Sequence, residues 1–263
     1  MFAPHQTGIQ RIEAYFSGKA YRPHRHDTYS IGYTINGVQS FHYRGARSDS
    51  TSGDVIVLHP DEVHDGQAGS SSGFRYRMLY LEPSLVRDAL GASASALPFV
   101  KNAVLGDTRL LSVLQTALGD MDNPLEPMQF DQITLLLAES LLAQDPSAGR
   151  LQPAPIDARA IAIARDYLNA NIDRVVRSEE LEHVTQHNRY SLARQFRTAL
   201  GTSPYRYLTM RRLDRARDAI SRGVTLADAA ALSGFSDQSH MTRQFTSAFG
   251  VSPGRWRALQ TRL

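Results

Sequence analysis

The chain has 263 residues, of which 42% are hydrophobic and 21% are charged; this composition is typical of a globular protein, and the length predicts two domains. No apolar run approaches the roughly 18 residues that a membrane span needs, and the N-terminus lacks the basic start and apolar core of a secretion signal, so we expect a cytoplasmic protein. The absence of cysteine excludes disulfides, thiolate zinc sites and cysteine nucleophiles.

The charge is distributed unevenly along the chain. Residues 1–150 carry 12 basic and 16 acidic side chains, whereas residues 151–263 carry 17 basic and 10 acidic ones, and all 17 are arginines. This asymmetry indicates a domain that binds a polyanion, joined to a domain with another task. A solvated basic surface explains the charge alone equally well.

Residues 20–81 show the pattern of short β-strands. Residues 31–35 alternate in polarity, Asn36-Gly37 follows, and residues 39–43 alternate again. Asn-Gly between two such runs predicts a hairpin with a type I′ turn, in which both turn residues have positive φ. Further strands are predicted over 55–58 and 74–81. Several short strands separated by turns indicate a sandwich or barrel.

Two leucine-rich helices are predicted after the strands. Leu110, Leu114 and Leu118 lie at helical spacing, and so do Leu137 and Leu141. The apolar faces of these helices either cover the barrel or form a dimer interface, and one chain can use them for both. We therefore include a homodimer among the expected assemblies.

Residues 145–156 hold three prolines and one glycine and form the best linker in the sequence. Beyond them nearly the whole chain has helical patterns, beginning with the apolar stripe of Ile161, Ala164 and Leu168. The sequence therefore predicts a β-rich domain with its helices over residues 1–144, a linker over 145–156 and an all-helical domain over 157–263.

The basic half contains two copies of one sequence unit, 49 residues apart. Residues 192–207 and 241–256 share an arginine, a phenylalanine, a glycine, a Ser-Pro pair and a terminal aromatic residue at equivalent positions. A repeat of this period indicates a duplicated supersecondary unit.

The types of the repeated residues indicate their roles. Phe196 and Phe245 are expected to lie in the core. Gly201 and Gly250 are expected to end their helices in left-handed caps, where glycine carries no steric penalty.

The predicted caps define two short helices in each unit. Asn188 and Ser236 are expected to cap the helices that carry the phenylalanines. Ser203 and Ser252 each precede a proline, which places an N-cap immediately before a first helical residue. Two short helices joined by a tight turn, with arginine on the second, are typical of a helix-turn-helix motif.

Outward positions on the second helix of each unit are the candidates for DNA contact, because Leu192 and Phe196, and likewise Met241 and Phe245, point inward. Arginine can bind guanine bidentately, glutamine can bind adenine, and serine or threonine can bind phosphate or a base. The candidates are Tyr190, Ser191, Arg194 and Arg197 in the first unit and Gln238, Ser239, His240, Thr242 and Arg243 in the second. The alternative for the arginines is a solvated or intrahelical ion pair, but Arg194 and Arg243 occupy equivalent repeat positions.

Residues 204–221 are predicted to form one connecting helix, packed through its leucine and alanine positions. If this helix is rigid, it can place the two second helices in successive turns of the major groove, roughly 34 Å apart.

Residues 234–245, Gly-Phe-Ser-Asp-Gln-Ser-His-Met-Thr-Arg-Gln-Phe, followed by Phe249-Gly250-Val251-Ser252-Pro253, closely resemble the signature of the AraC/XylS family of bacterial transcription regulators. The resemblance covers about residues 157–260. It implies that the second helix of each unit enters the major groove, with Tyr190, Ser191, Arg194 and the five candidates of the second unit at base- or backbone-contact positions. Glu182 departs from the family, which usually has alanine there, so we expect a local adjustment of the first unit.

The front half is similar to the sensor domain of that family, a small cupin-like barrel. The similarity lies in Pro23-His24-Arg25-His26-Asp27 and in residues 60–66, Pro-Asp-Glu-Val-His-Asp-Gly. On this resemblance we expect a small-molecule effector pocket, lined by some members of one set of side chains. The set is His24, His26, Tyr33, His42, His59 and His64.

A metal site is the alternative for three of these histidines. His24, His26 and His64 resemble the metal set of catalytic cupins, and two imidazoles that lie two residues apart on a strand point to the same face. Those enzymes usually add a glutamate four or five residues after the second histidine, where this chain has Ser30 and Ile31. We therefore expect the histidines to line a ligand pocket or to bond to barrel backbone, and we expect no metal or other cofactor.

The expected fold is an N-terminal cupin-like β-barrel with covering helices and a C-terminal all-α tandem helix-turn-helix domain. The expected function is sequence-specific transcription regulation without enzymatic activity. The expected partners are double-stranded DNA, a small-molecule effector and, for an activator, RNA polymerase. Two alternatives remain: a metal-dependent cupin enzyme or metal sensor fused to a DNA-binding tail, and an architectural DNA binder with a dimerising cap.

Overall fold

The computed structural model describes residues 1–91, 96–147, 156–249 and 251–260. The chain divides into two compact units. The first comprises Met1–Leu125 and Ile133–Gln152, and the second comprises Glu126–Gln132 and Pro153–Leu263. Residues 148–155 of the predicted linker lie outside the described residues. In the described ranges, no helix combines the length and the hydropathy that crossing a membrane requires.

The first unit is built on two antiparallel sheets. Its strands are β1 (Ile9–Phe16), β2 (Lys19–His24), β3 (Tyr29–Gly37), β4 (Gln39–Tyr43), β5 (Ala46–Ser50), β6 (Val55–Leu58), β7 (His64–Ala68), β8 (Phe74–Leu81) and β9 (Val104–Leu105). The five-stranded sheet has the order β1-β8-β3-β6-β9, and the four-stranded sheet has the order β2-β7-β4-β5. The strands predicted over 39–43, 55–58 and 74–81 are confirmed.

One apolar core joins the inner faces of the two sheets. Phe41 and Tyr43 from β4 pack in the same cluster as Ile56 from β6 and Phe74 and Met78 from β8. Alternate residues of each strand point to one face, which is why residues two apart on β4 and four apart on β8 meet here. Burying each of these side chains contributes about 1.5–3 kcal/mol. The predicted fold class of the front half is confirmed.

The hairpin predicted at Asn36-Gly37 is wrong. Strand β3 pairs with β6 and β8, whereas β4 pairs with β5 and β7, so the chain passes from one sheet to the other here. Gly37 alone of the two residues has a positive φ, at 74°. A Cβ at Gly37 would lie 2.0 Å from the carbonyl oxygen of Gly73, so the glycine serves the close approach of another backbone segment.

Three helices follow the strands: α1 (Pro83–Leu90), α2 (Thr108–Leu118) and α3 (Pro127–Ala143). Helix α2 contacts β3 and β8 and buries Leu110, Leu114 and Leu118. The leucine face of α2 therefore covers the five-stranded sheet. The dimer interface that these faces also suggested remains a prediction.

The second unit is helical. Its helices are α4 (Ala158–Ala170), α5 (Ser178–Thr185), α6 (Arg189–Leu200), α7 (Pro204–Ser221), α8 (Leu226–Leu232), α9 (Gln238–Phe249) and α10 (Pro253–Gln260). One apolar cluster lies around Phe196 and a second around Phe245. The predicted connecting helix is α7, and it contributes Leu208 to the first cluster and Leu213 to the second. It thereby joins the two helix-turn-helix cores.

Most of the predicted caps are confirmed by their hydrogen bonds. The side chain of Asn188 accepts from the Tyr190 backbone N–H at 3.0 Å, and the hydroxyl of Ser203 accepts from the Arg206 N–H at 3.1 Å. Ser252 accepts from the Arg255 N–H at 3.3 Å. Gly201 adopts the left-handed conformation, whereas Gly250 lies outside the described residues.

The cap predicted at Ser236 is wrong by one residue. The carboxylate of Asp237 accepts from the His240 backbone N–H at 2.7 Å, because helix α9 begins at Gln238. Aspartate at this position also complements the positive end of the helix dipole.

Candidate DNA-contact surface and sensor cleft

The first helix-turn-helix unit consists of α5 and α6. Leu192 and Phe196 are buried, as predicted, and this orientation directs the other faces of α6 away from the core. Ser191, Arg194 and Arg197 lie on those faces and are half-buried. They remain the candidate DNA contacts of the first unit.

Tyr190 has a different placement. It is only 6% exposed and lines a small cavity together with Leu181 and Tyr205. A tyrosine in this position supports the packing of α6 on its neighbours. That role fits the placement better than a contact with sugar or a thymine methyl group.

Glu182 of α5 binds the start of α6, and the local adjustment of the first unit expected there stays a prediction. Its carboxylate accepts from the backbone N–H of Arg189 at 2.8 Å and from the Arg189 guanidinium at 3.0 Å. Burial opposes ionisation of Glu182, but the hydrogen bonds from Arg189 outweigh it and lower the pKa of the carboxyl group. The pair fixes the first turn of α6 to α5.

Arg189 positions the first turn of α6, a role that the sequence patterns did not indicate. Its guanidinium also contacts Glu179 at 2.8 Å and Asp131 at 3.4 Å. Comparing the two repeats could have identified Arg189. The first unit has Glu182 and Arg189 at positions where the second unit, 49 residues further on, has Ala231 and Gln238, and these two residues cannot form an ion pair. The two units therefore hold their second helices in different ways.

The second helix-turn-helix unit consists of α8 and α9. Met241 and Phe245 are buried, as predicted. On the other faces of α9, Gln238, Ser239 and Arg243 are exposed and Thr242 is half-buried. This helix presents a glutamine, a serine and an arginine, which are side chains able to read base edges or bind phosphate.

His240 lies between surface and core. Its Nε2 is 3.4 Å from a carboxylate oxygen of Glu126, and its ring meets Phe235 edge-on at 5.4 Å between centroids. Burial lowers the pKa of His240, although Glu126 opposes that effect. A positioning role for α9 is therefore as consistent with this geometry as a direct DNA contact.

The first unit brings three of the six predicted pocket residues together. The ring centroids of His24 and His64 are 4.5 Å apart, and those of His26 and His64 are 4.9 Å apart. His24 is exposed, His26 is half-buried and His64 is buried. Burial lowers the pKa of His26, and it lowers that of His64 to about 4, so both imidazoles are neutral at pH 7.

The other three predicted pocket residues lie elsewhere in the first unit. Tyr33 hydrogen-bonds to Arg77 and lies on the opposite face of β3 from Ser30, which contacts His26. His42 contacts the carboxylate of Asp65 at 3.1 Å in an exposed position. The resemblance to the cupin metal set groups the other three histidines, but it does not indicate where these three side chains lie, because their positions depend on strand pairing.

His59 is a buried acceptor. Its Nε2 accepts from the backbone N–H of Val100 at 3.0 Å, and its ring lies 5.3 Å from that of Phe99. Burial, assisted by the positive charge of Arg44, lowers the pKa of His59 to about 4; Glu62 and Asp145 act in the opposite direction.

We expect the first unit to lose stability as the pH falls from about 6.5 to 4. His59 and His64 stay neutral in the folded state over this range, whereas the unfolded chain takes up protons near the ordinary histidine pKa of about 6.5. Each of these two histidines contributes its full share of the unfolding free energy above pH 6.5, and that share is lost as the pH falls through 4. Urea unfolding followed by circular dichroism at pH 7, 6 and 5 measures the slope.

Replacing His59 with glutamine keeps an acceptor for Val100 and removes one titrating group. The slope of unfolding free energy against pH should fall by up to about 1.4 kcal/mol per pH unit, with the His64 contribution remaining. His42→Gln is the matched control, because His42 is exposed in the same barrel. Equal slopes in wild type and His59→Gln would show that His59 titrates normally in the folded state.

An open cleft of about 730 Å³ lies beside the histidine cluster. It is lined by residues from the N-terminus, from β1, from the turn after β2 and from β8, including Phe2, His5, Gln10, His26, Thr28 and Tyr80. Ligand pockets in proteins commonly have volumes of about 300–1,000 Å³. The cleft is therefore large enough for a small-molecule effector.

The first unit has two sheets and a cleft of ligand size, and the second unit has two helix-turn-helix motifs. This combination is typical of DNA-binding regulators that carry a sensor domain. A family model described as AraC-like ligand binding domain matches residues 6–144, and one described as helix-turn-helix domain matches residues 182–259. The chain belongs to the AraC family of transcription regulators, and its N-terminal unit is the ligand-binding domain of that family.

Relatives of this chain carry names that agree with this assignment. The chain is 26% identical over 235 residues to an uncharacterised HTH-type transcriptional regulator, YbfI of Bacillus subtilis, a match that covers 88% of this chain and 86% of that protein. It is 32% identical over 139 residues to the HTH-type transcriptional activator RhaR of Pectobacterium atrosepticum, covering 50% and 49% of the two chains. The crystal structure of unsaturated fatty acid bound ToxT from Vibrio cholerae is similar with 15% identity and a TM-score of 0.42, covering 97% of this chain and 96% of that one.

Proposed function

We propose that this protein is a cytoplasmic one-component regulator that reads an operator with α6 and α9 and binds its effector in the cleft beside His26. The proposed organisation is a sensor over residues 1–144, a linker over 145–156 and a DNA-binding domain over 157–263. The working form is a homodimer, and RNA polymerase is a further partner if the protein activates transcription. No catalytic step is part of this function.

The observation that carries the proposal is the orientation of α9. Met241 and Phe245 are buried, while Gln238, Ser239 and Arg243 are exposed on the same helix. In a helix-turn-helix protein the second helix lies in the major groove, where these side chain types distinguish base pairs. The arginine-rich composition of residues 151–263 supplies the phosphate attraction that all duplexes share.

The experiment is selection of an operator from random duplexes, followed by binding measurements with variants at fixed salt. Replacing Arg194 or Arg243 with alanine should cost about 1–3 kcal/mol on the selected operator if the arginine binds a guanine bidentately. The loss on random DNA should be smaller, because phosphate contacts there do not depend on sequence.

Arg222→Ala is the matched control, because Arg222 is exposed in the same unit but follows the connecting helix α7. It should leave the ratio of operator to random affinity unchanged. An equal loss on both DNAs for Arg243→Ala would make that arginine a phosphate contact. Failure to select any sequence would favour the architectural alternative.

The effector part of the proposal rests on the cleft. An effector regulates only if it binds two states of the protein with different affinity, so its addition should change operator affinity. Cleft side chains of both polarities, such as Phe2 and Gln10, suit a small molecule with an apolar body and a few polar groups.

A further inference from the structure

Strand pairing places His24, His26 and His64 around a common point. His24 ends β2 and is the direct cross-strand partner of His64, the first residue of β7. His26 follows two residues later, with its ring centroid 5.9 Å from that of His24. One ring nitrogen from each histidine lies within 4.8 Å of one from each of the others. The three imidazoles thus approach a single centre from two strands and a turn.

Backbone carbonyl groups orient all three rings in the same way. Nδ1 of His24 lies 2.9 Å from the carbonyl oxygen of Arg22, and Nδ1 of His64 lies 3.0 Å from that of Glu62. Nδ1 of His26 lies 3.2 Å from that of Thr28. A carbonyl oxygen can only accept, so each Nδ1 carries the proton and each Nε2 carries a lone pair. This arrangement is the one found in histidines that ligate metals, where a carbonyl or carboxylate holds the other nitrogen.

Ser30 closes the cluster on one side. Its hydroxyl lies 2.9 Å from Nε2 of His26 and donates to that lone pair, so an ion would take the place of this hydrogen bond. Among the described residues, the cluster includes no carboxylate ligand. Three neutral nitrogen ligands suit zinc, copper, nickel or cobalt and do not suit magnesium, calcium or manganese, which prefer oxygen.

We propose that His24, His26 and His64 bind one divalent transition-metal ion of the zinc type through their Nε2 atoms. At metal–nitrogen distances of about 2.0–2.1 Å, tetrahedral ligands lie about 3.3 Å apart, so the rings close by up to about 1.5 Å on binding. The exposed His24 has the freedom to make most of this movement. Three protein ligands leave at least one coordination position for water or for a donor atom of the effector.

This site extends the proposed function without depending on it. His26 belongs to both the cluster and the cleft, so an ion bound there would face the space in which we place the effector. An effector with a carboxylate, hydroxamate or imidazole group could then bind through the ion. The metal site itself stands on the geometry of the first unit alone.

The test uses the full chain, purified without a histidine tag and stripped with a chelator. Zn²⁺ is titrated in competition with a chromophoric chelator, and Co²⁺ is titrated separately because its visible absorption reports coordination by the protein. We expect one equivalent per chain, with a dissociation constant in the micromolar range or below. His24→Ala should weaken binding by at least about 10–100-fold, since loss of an orienting partner alone has an effect of that size.

His42→Ala is the matched control, since His42 is exposed in the same sheet but lies outside the cluster. It should bind Zn²⁺ as the wild type does. His24 is exposed, so its replacement should leave the thermal unfolding of the metal-free protein unchanged, and a Ser30→Ala variant should bind at least as tightly as the wild type.

Absence of stoichiometric Zn²⁺ binding, or equal weakening by His24→Ala and His42→Ala, would overturn the proposal. Operator binding is measured on the same preparations. If His24→Ala loses the metal and still binds operator, both proposals stand. If the wild type binds Zn²⁺ but selects no operator, the proposed function fails while the metal site remains.

Discussion

Replacing Arg212 with methionine is expected to destabilise the second unit by about 3–5 kcal/mol. The Arg212 side chain is 1% exposed, and its guanidinium donates to the carbonyl oxygens of Ile172 at 3.1 Å and Arg174 at 2.8 Å. It also pairs with Glu126 at 3.1 Å. Methionine fills similar space but has no donor for these acceptors, so two carbonyl groups and the Glu126 carboxylate would lose the guanidinium hydrogen bonds.

The measurement is urea unfolding followed by fluorescence of Trp256, the single tryptophan of the chain. Trp256 packs against the cluster around Phe245, so its emission reports on the second unit. Because the protein has two compact units, the transition should be compared with far-ultraviolet circular dichroism, which reports on both.

Arg211→Met is the matched control for Arg212→Met. Arg211 is the preceding residue on the same helix, but its side chain is 43% exposed and pairs with Asp214 on the surface. Exposed ion pairs contribute about 0–1 kcal/mol, so this change should shift the midpoint only slightly. Similar losses in the two variants would mean that burial of Arg212 is not what makes it important.

Replacing Gly234 with alanine is expected to destabilise the second helix-turn-helix unit by about 3 kcal/mol, from backbone strain and steric overlap together. Gly234 has a φ of 74°, and a Cβ there would lie 2.3 Å from the carbonyl oxygen of Ile172. The backbone of the Ile172 loop would have to move to admit the methyl group. That loop also carries carbonyl groups bound by Arg212, so its movement would disturb the buried arginine.

The Gly201→Ala variant separates the cost of backbone strain from the cost of steric overlap. Gly201 has a similar φ of 69°, but a Cβ there meets nothing within 4 Å. Its replacement should cost only the conformational penalty, about 1–2 kcal/mol. Trp256 fluorescence in urea measures Gly234→Ala, and circular dichroism measures both variants. Equal losses would show that the approach of Ile172 to Gly234 relaxes without cost.

Local chemistry made the helical half predictable. Capping by Asn188 and Ser203 depends on hydrogen bonds that span two or three residues, and the inward position of Phe196 follows from helical periodicity. The repeat then extended the same reasoning to the second unit. The shift of the cap from Ser236 to Asp237 marks the limit, since both residue types are good caps and packing selects between them.

The barrel was less predictable because its pairings are long-range. Strand β1 was missed, since Arg11 and Glu13 interrupt its apolar pattern, although both are buried. Arg11 is satisfied by carbonyl oxygens of Ala117, Asp120 and Asn123, more than 100 residues away in the chain. No property of the β1 segment indicates that those acceptors exist.

By itself, the sequence determined the division of labour: a β-rich ligand-binding half and a duplicated helix-turn-helix half that belongs to the AraC family. Helical periodicity, capping residues and a repeat can be read from the sequence without knowing which segments pack against each other. Only the tertiary structure decided that Arg212 is buried while Arg211 is exposed, and that the pocket candidates His42 and His59 lie outside the histidine cluster. These placements depend on which strands and loops pack against each other. Two arginines or two histidines are the same residue type, so the sequence alone does not show which of them is buried or clustered.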